Sequence, residues 1–504
     1  MKKYILIIAV FFSIGISGCK KDYLSLEVNP NNPSVSPPGL TLSGALVVAA
    51  AITNQSYSQY GAWMEYWTNS GNFVPNPALD QFQITNQSYT GVWTSLYQNL
   101  TNFNNLQVSA AADPTLGDYQ AIAMIMKVYD FEQLVDQFGD VPYSQAFNPT
   151  KYLNPAYDAQ LAIYNDFTKQ LDAAIALAVK GGTNPGSADI VFGGVMANWI
   201  KFANTLKLRI VLRQSTHAPN AAAVADLSTT SSYGYLDNTI DAEAQPGYLD
   251  LLSNGASQAS PFYSDYGFDV TGNSTPNNTY YRASNFYISL LTNDNDPRLN
   301  QVYSPAAGTT IQGNTFGQVG AAVLSNSFTA GVGPGIIISP TMNAVLIGHA
   351  QACFMQAEAL QNNIGLGTGA SFASAQAAYQ AGITSSFVDM QVGATPAASQ
   401  AAAATYYGQN IANIGWAAST NKEEAIIYQE WFSLFGYGNL EAYLNYERTG
   451  YPILPNPLSL DPSAVSTIAP IRQYYPLSEE ETNQASVAKE GTINIFTTKI
   501  FWEK

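Results

Sequence analysis

The chain has 504 residues, 46% of them hydrophobic and only 11% charged, so a large core can form. Against 20 basic residues stand 36 acidic ones, a net charge of -16, which excludes a duplex-binding protein because clustered Lys and Arg must neutralise the phosphates. The two cysteines, Cys19 and Cys353, cannot build a disulfide framework.

Met1-Lys2-Lys3 and the apolar run Tyr4 to Ile16 form a bacterial secretory signal, too short for a spanning helix of ~20 residues. Ile16-Ser17-Gly18-Cys19 fits a lipobox: an aliphatic residue, two small ones, then a thiol to carry lipid. Residues 1–18 are therefore expected to be removed, with Cys19 the lipidated N-terminus that tethers the body to a membrane. The alternative is an ordinary signal peptide with an incidental cysteine. Residues 19–39, rich in Pro and Asn, read as a linker, and 40–504 as a single domain.

Leu40 to Trp67 reads as a helix and Tyr89 to Leu106 as a second. Asp118 to Phe138 carries Met124, Val128, Phe131, Val135 and Phe138 on one stripe, and Gly139 then Pro142 end it. Asp158 to Val179 and Val195 to Arg213 follow. From about 215 to 341, Gly, Pro, Asn, Ser and Thr dominate, and this reads as a loop-rich excursion with a short helix at Ala283 to Leu291. Helical pattern returns at Asn343 to Gln361, Phe372 to Phe387, Lys422 to Leu434 and Leu440 to Arg448, and Thr492 to Phe496 suggests a strand. The fold class is mainly α, with helix pairs stacked in a tetratricopeptide-like scaffold.

Catalytic signatures are missing from the sequence. It holds two histidines, His217 and His349, no His-Glu-x-x-His run and no Gly-x-Ser-x-Gly elbow. His349 and Cys353 lie four apart on one helix, but two ligands make a poor metal site and a packed helix face is the simpler reading. Asp294-Asn295-Asp296 resembles the start of a calcium loop without its Gly and closing Glu, and Asp296 before Pro297 reads more simply as a helix cap. Lys201, Lys207, Arg209 and Arg213 are expected to pair with internal carboxylates rather than recruit an anion. No cofactor is expected.

Two segments combine aromatic rings with amides, which suits a sugar's CH face and hydroxyls. One runs from Glu65 to Phe73 and supplies Tyr66, Trp67 and Asn72; the other, Tyr263 to Arg282, supplies Asp265, Tyr266, Asn278, Tyr280 and Arg282. The competing reading buries Tyr66 and Trp67 in the core.

Several motifs resemble the SusD/RagB family of outer-membrane nutrient-binding lipoproteins, in the SusD-like branch distant from the starch-binding type. They are Asn29-Pro30-Asn31-Asn32-Pro33, Phe138-Gly139-Asp140-Val141-Pro142-Tyr143, Val191-Phe192-Gly193-Gly194 with Trp199, Asn295-Asp296-Pro297-Arg298, Glu447-Arg448-Thr449-Gly450 and Arg472-Gln473-Tyr474-Tyr475-Pro476. Glu447 departs from the pattern, which commonly has a second arginine there. The resemblance implies a surface lipoprotein that binds a glycan or oligosaccharide without chemistry and passes it to a SusC-like TonB-dependent transporter. A peptide ligand is the alternative within that class; a glycosidase with paired carboxylates and a structural adhesin are the rivals outside it.

Overall fold

A computed structural model describes residues 36–253 and 256–504. The signal segment, Cys19 and most of the linker lie outside the described residues. About half of the chain is helical.

The first helix, α1 (Pro38–Gln55), stops at Ser56, and a short α2 (Ser58–Trp63) follows. The expected single helix from Leu40 to Trp67 is thus broken, and its last residues become β1 (Trp67–Asn69). Next come α3 (Thr90–Ala111), which packs on α1, and α4 (Gly117–Phe138), α5 (Gln160–Lys180) and α6 (Met196–Gln214), each packed on the one before it. Gly139 ends α4 with φ +79°, a conformation that costs glycine nothing.

A helix not anticipated from sequence, α7 (Ala221–Thr230), packs on α5 and α6. Its start signal was present, since the Asn220 side chain accepts from Ala223 N–H at 3.1 Å, but its alanines gave no apolar stripe. Then come β2 (Ala242–Ala244), α8 (Pro261–Tyr266), β3 (Tyr281–Ala283) and α9 (Asn285–Asn293).

Asn343 to Ile347 was expected to begin a helix. Instead β4 (Ala344–Ile347) pairs antiparallel with β2, and α10 (His349–Gln361) starts only after Gly348. The β-branched Val345 and Ile347 suit the strand better than a first helical turn. Beyond α10 lie α11 (Ala375–Asp389), α12 (Pro396–Tyr407), α13 (Lys422–Ser433) and α14 (Asn439–Thr449). The second unanticipated helix, α12, is capped by Thr395 with Pro396 in its first turn. Thr492 to Phe496 forms no strand; its one ladder-like bond runs from Ile471 N–H to Ile495 O, 2.8 Å.

Helices α3 to α6 form one packed series, and α10, α11 and α12 a second, joined where α10 touches α6 and α13. This is the expected helix-pair scaffold. Side chains one helical turn apart lock its centre: Arg209 and Arg213 on α6 face Glu132 and Asp136 on α4. Arg209 grips Glu132 at 2.5 Å, while Arg213 lies 3.3 Å from Asp136 and 2.6 Å from Glu441 on α14. Lys207 meets Asp172 on α5 at 2.5 Å and Asp226 on α7 at 3.0 Å. Three of the four basic residues in that cluster therefore pair internally, as the sequence suggested. Burial works against the Glu441 carboxylate, but Arg213 and Arg209 hold it below its ordinary range.

Arg213→Met leaves Asp136 without its guanidinium and takes from Glu441 the nearer of its two, in a dry interior. It should lose about 3–5 kcal/mol of unfolding free energy in urea titrations. A second prediction concerns Asp130, fully buried on α4, whose carboxylate accepts from Asn99 Nδ2 at 2.9 Å and has its other oxygen unpartnered. Burial raises it to about 8. The folded protein thus keeps a proton that the unfolded chain releases near about pH 4. Stability from this group is present in acid and falls as pH rises through that window. Asp130→Asn should flatten the fall in urea midpoint between about pH 5 and about pH 8.

Candidate ligand-binding site

Strand β1 pairs with β3, setting Trp67 opposite Ala283, Thr68 opposite Arg282 and Asn69 opposite Tyr281. This ladder brings together the two segments singled out in the sequence, pairing residues more than 200 positions apart.

The ladder also turns the largest rings inward. Trp67 is 1% exposed; its ring stacks on Tyr266 at 5.3 Å and its Nε1–H donates to Ser58 O at 3.0 Å. Gly61 leaves room for that indole, since a Cβ there would stand 2.5 Å from Trp67 Cζ2. Tyr66 is buried against Trp431, with its hydroxyl donating to Trp431 O at 2.5 Å. Tyr266 in turn stacks on Phe262 at 4.7 Å. Tyr66, Trp67 and Tyr266, expected to meet ligand, are core residues that offer no face to solvent. Alternation along β1 does not rescue them, because all three of its residues are buried.

Arg282 is likewise a structural tie. Its guanidinium donates to Asn278 O at 3.0 Å, to Asn326 O at 3.3 Å and to both Thr329 oxygens. Burial pulls its pKa down to about 10. Asn278, also buried, donates through Nδ2 to Tyr266 O at 2.8 Å. Asp265 is half-buried beneath this region, where burial raises its carboxyl above the ordinary range. Beside the ladder, Glu65 accepts from the Ser284 hydroxyl, and burial pushes it up to about 7.

Two of the named residues do lie at the surface end of the ladder. Asn72 is exposed, and Tyr280 is half-buried with its ring edge-to-face against Phe73 at 5.0 Å. Here residues 70–76 lie against residues 323–329. Gly71 N–H donates to Leu324 O at 2.9 Å, and Asn326 N–H donates to Asn72 Oδ1 at 2.8 Å. Asn314 clamps the junction from below, donating to Asn69 O at 3.1 Å and Leu324 O at 2.9 Å. Gly71 is required by this contact, since a Cβ would stand 2.4 Å from Val323 O.

The two tied segments form a small platform; Phe73 on one is 42% exposed and Phe328 on the other 60%, and Asn72 and Asn326 meet at the contact between them. The Asn72 amide NH₂ has no protein partner among the described residues. Phe328 and Asn326 were missed from sequence. The available signal was a lone aromatic inside Ser325-Asn326-Ser327-Phe328-Thr329, a run too polar to be core. Cys353 is buried, and His349 turns to Asp241 and Asp389. Asp296 spends both carboxylate oxygens on Arg298, in keeping with a structural role for that motif.

A family model described as SusD-like, starch-binding and associating with the outer membrane, matches residues 30–476. The chain belongs to the SusD-like family. A solved chitin-binding protein superposes on this SusD-like chain with a TM-score of 0.73 and 26% identity, over 92% of this chain and 99% of its own. Two more distant neighbours share the fold. A chitin-binding SusD homolog from Flavobacterium johnsoniae gives a TM-score of 0.73 at 21% identity, over 92% of this chain and 98% of its own. A SusD homolog from Bacteroides vulgatus gives 0.71 at 19%, over 90% and 92%. A search of curated proteins found no match. No helix among the described residues of this SusD-like chain is long and apolar enough to cross a membrane.

The burial pattern separates two classes of variant. Trp67→Ala should cost about 3–5 kcal/mol in urea unfolding, as large aromatic truncations in cores do. Phe73→Ala, which loses only a part-exposed ring and its edge contact with Tyr280, should cost no more than about 1.5 kcal/mol.

Proposed function

We propose that this protein binds a neutral glycan on the platform formed by Asn72, Phe73, Tyr280, Asn326 and Phe328. A sugar's CH face packs on an exposed ring, and its hydroxyls need amide donors and acceptors in fixed positions. The platform supplies both, on two loops already tied together by backbone hydrogen bonds, so little ordering is needed on binding. The observation that carries the reading is the pair of exposed phenylalanines beside uncommitted amide groups in a chain of this family.

Residues 70–76 and 323–329 contain no Asp, Glu, Lys or Arg. Glycoside hydrolysis needs two carboxyl groups flanking the bond. Capture without cleavage is the activity this surface supports. The name of the 26%-identical neighbour makes chitin-derived oligosaccharides the first ligands to test.

In this reading the protein is held to the outer membrane by lipid on Cys19 and hands its glycan to a SusC-like TonB-dependent transporter. Family membership and the Ile16-Ser17-Gly18-Cys19 lipobox support that assignment.

The test is calorimetric titration of the body lacking residues 1–19 with chito-oligosaccharides and a glycan panel. Saturable binding should fall roughly tenfold in Phe73→Ala and again in Phe328→Ala, a loss of about 1.4 kcal/mol each. Binding of peptides and no glycan would overturn the ligand class, and release of cleaved product would overturn capture without chemistry.

A further inference from the structure

A cavity of about 310 Å³ lies away from the platform, and none of the platform residues lines it. Its walls are largely apolar, with Phe262, Ile336, Ile338, Met342, Met390 and Phe435 among them. Three carboxylates line the same space: Asp241, Glu243 beside it on β2, and Asp389 at the end of α11.

His349, the first residue of α10, joins these groups. Its Nδ1 is 2.6 Å from Asp241 Oδ2 and 3.5 Å from Asp389 Oδ1, and its backbone N–H donates to Asp241 Oδ1 at 2.7 Å. Burial lowers the imidazole's pKa, but the hydrogen bonds to Asp241 and Asp389 outweigh it and hold the ring protonated, at about 10. Asp241 is therefore satisfied by one imidazolium and one helix N-terminus. The other two carboxylates are less well matched. Glu243 accepts from Asn343 Nδ2 at 2.6 Å through one oxygen, while its other oxygen has no protein partner among the described residues. Burial, then repulsion from Asp241, raises it to about 7. No Lys or Arg among the described residues bridges Asp241, Glu243 or Asp389. One positive charge thus serves three acidic groups, of which Asp241 and Glu243 are half-buried and Asp389 is exposed, whereas Glu132 and Asp136 in the scaffold centre each have a guanidinium partner.

A divalent metal fits this arrangement poorly. The donor atoms of Asp241, His349 and Asp389 do lie within 4.8 Å of one another. Yet an ion held tetrahedrally at ~2.0 Å from each donor would set nitrogen and oxygen ~3.3 Å apart. His349 and Asp241 are instead closed onto a shared proton.

We propose that this cavity binds a small amphipathic organic cation, with its ammonium group against Asp389 and Glu243 and its apolar body against Phe262, Ile336, Met390 and Phe435. An ammonium makes charge-assisted hydrogen bonds to the carboxylate oxygens left open. The phenyl rings of Phe262 and Phe435 in the wall offer large apolar surface for the ligand's body. The cavity is also within the size range of small-molecule sites, which pair apolar walls with a few fixed polar groups. The proposal does not depend on the glycan reading.

The probes are phenethylammonium and phenylacetate, close in shape and opposite in charge, titrated into the purified protein by calorimetry, with zinc chloride in a separate titration. Phenethylammonium should bind saturably and at least tenfold more tightly than phenylacetate. Asp389→Asn and Glu243→Gln should each weaken it at least fivefold, while Phe73→Ala leaves it unchanged. Ile338→Trp, at a position 42% exposed, should block entry without touching any charge. Equal affinity for both probes, no saturable binding by either, or unchanged affinity in all three cavity variants would overturn the proposal. Stoichiometric zinc binding lost on His349→Ala, with no binding of phenethylammonium, would make this a metal site instead.

Discussion

The pairing of buried charges on α4 and α6 is the constraint on which the rest of the scaffold depends. A lone guanidinium in a dry interior costs several kcal/mol, so each must sit where its carboxylate sits. Arg209 and Arg213 are one turn apart, and so are Glu132 and Asp136. Two matched pairs fix both the rotation and the axial register of the helices. Glu441 reaches the same group from α14, and the Trp502 Nε1–H donates to Asp136 at 2.9 Å. Helices from the first third and middle of the chain, and a segment near residue 500, thus meet at one charge cluster. Hydrophobic burial drives the packing, but it is non-directional and would tolerate a slipped register that this cluster does not.

The same principle explains why the family was legible from short motifs. Asp189 accepts from the backbone N–H of Val191, Phe192 and Gly194 and from Trp199 Nε1, which folds Val191-Phe192-Gly193-Gly194 onto α6. Arg472 donates to Phe138 O, and Gln473 N–H to Gln137 O, so two motifs more than 300 residues apart are halves of one contact. Arg298 lies between Asp296 and Gln429, and Arg448 is gripped by both oxygens of Glu358. These are buried polar groups whose partners are fixed by geometry, and substituting one leaves the other unsatisfied. Such residues announce the fold, and they say little about the ligand.

The ligand face was less legible for a related reason. An aromatic run passing into Asn, Ser and Gly looks the same whether the rings point in or out. The β1–β3 ladder decides it, and no local pattern in Glu65 to Phe73 shows that Trp67 will stand opposite Ala283. The two segments singled out in the sequence do pair, and two of their residues, Asn72 and Tyr280, lie at the surface end of the ladder. It assigned the binding role to the largest rings, which the core claimed. Helix boundaries on strongly periodic segments such as α4 were readable because one stripe sufficed, whereas α7 and α12, rich in alanine, had caps but no stripe.

Charge placement bears on which glycans such a surface can hold. The protein carries a net charge of -16, and several of its few cations (Lys207, Arg209, Arg213, Arg298 and Arg448) are consumed by internal acids. The platform loops contribute no charge of either sign, and Arg282 beneath them is occupied by carbonyl oxygens. An anionic sugar would approach against the field of the whole molecule and find no cation at the surface to offset its desolvation. A neutral sugar bound as proposed would meet neither cost, since its contacts would be dispersion against Phe73 and Phe328 and hydrogen bonds to amides. On the proposed reading, acidity that serves solubility elsewhere on the protein would act at the platform as a filter, favouring neutral glycans over uronate or sulfated ones.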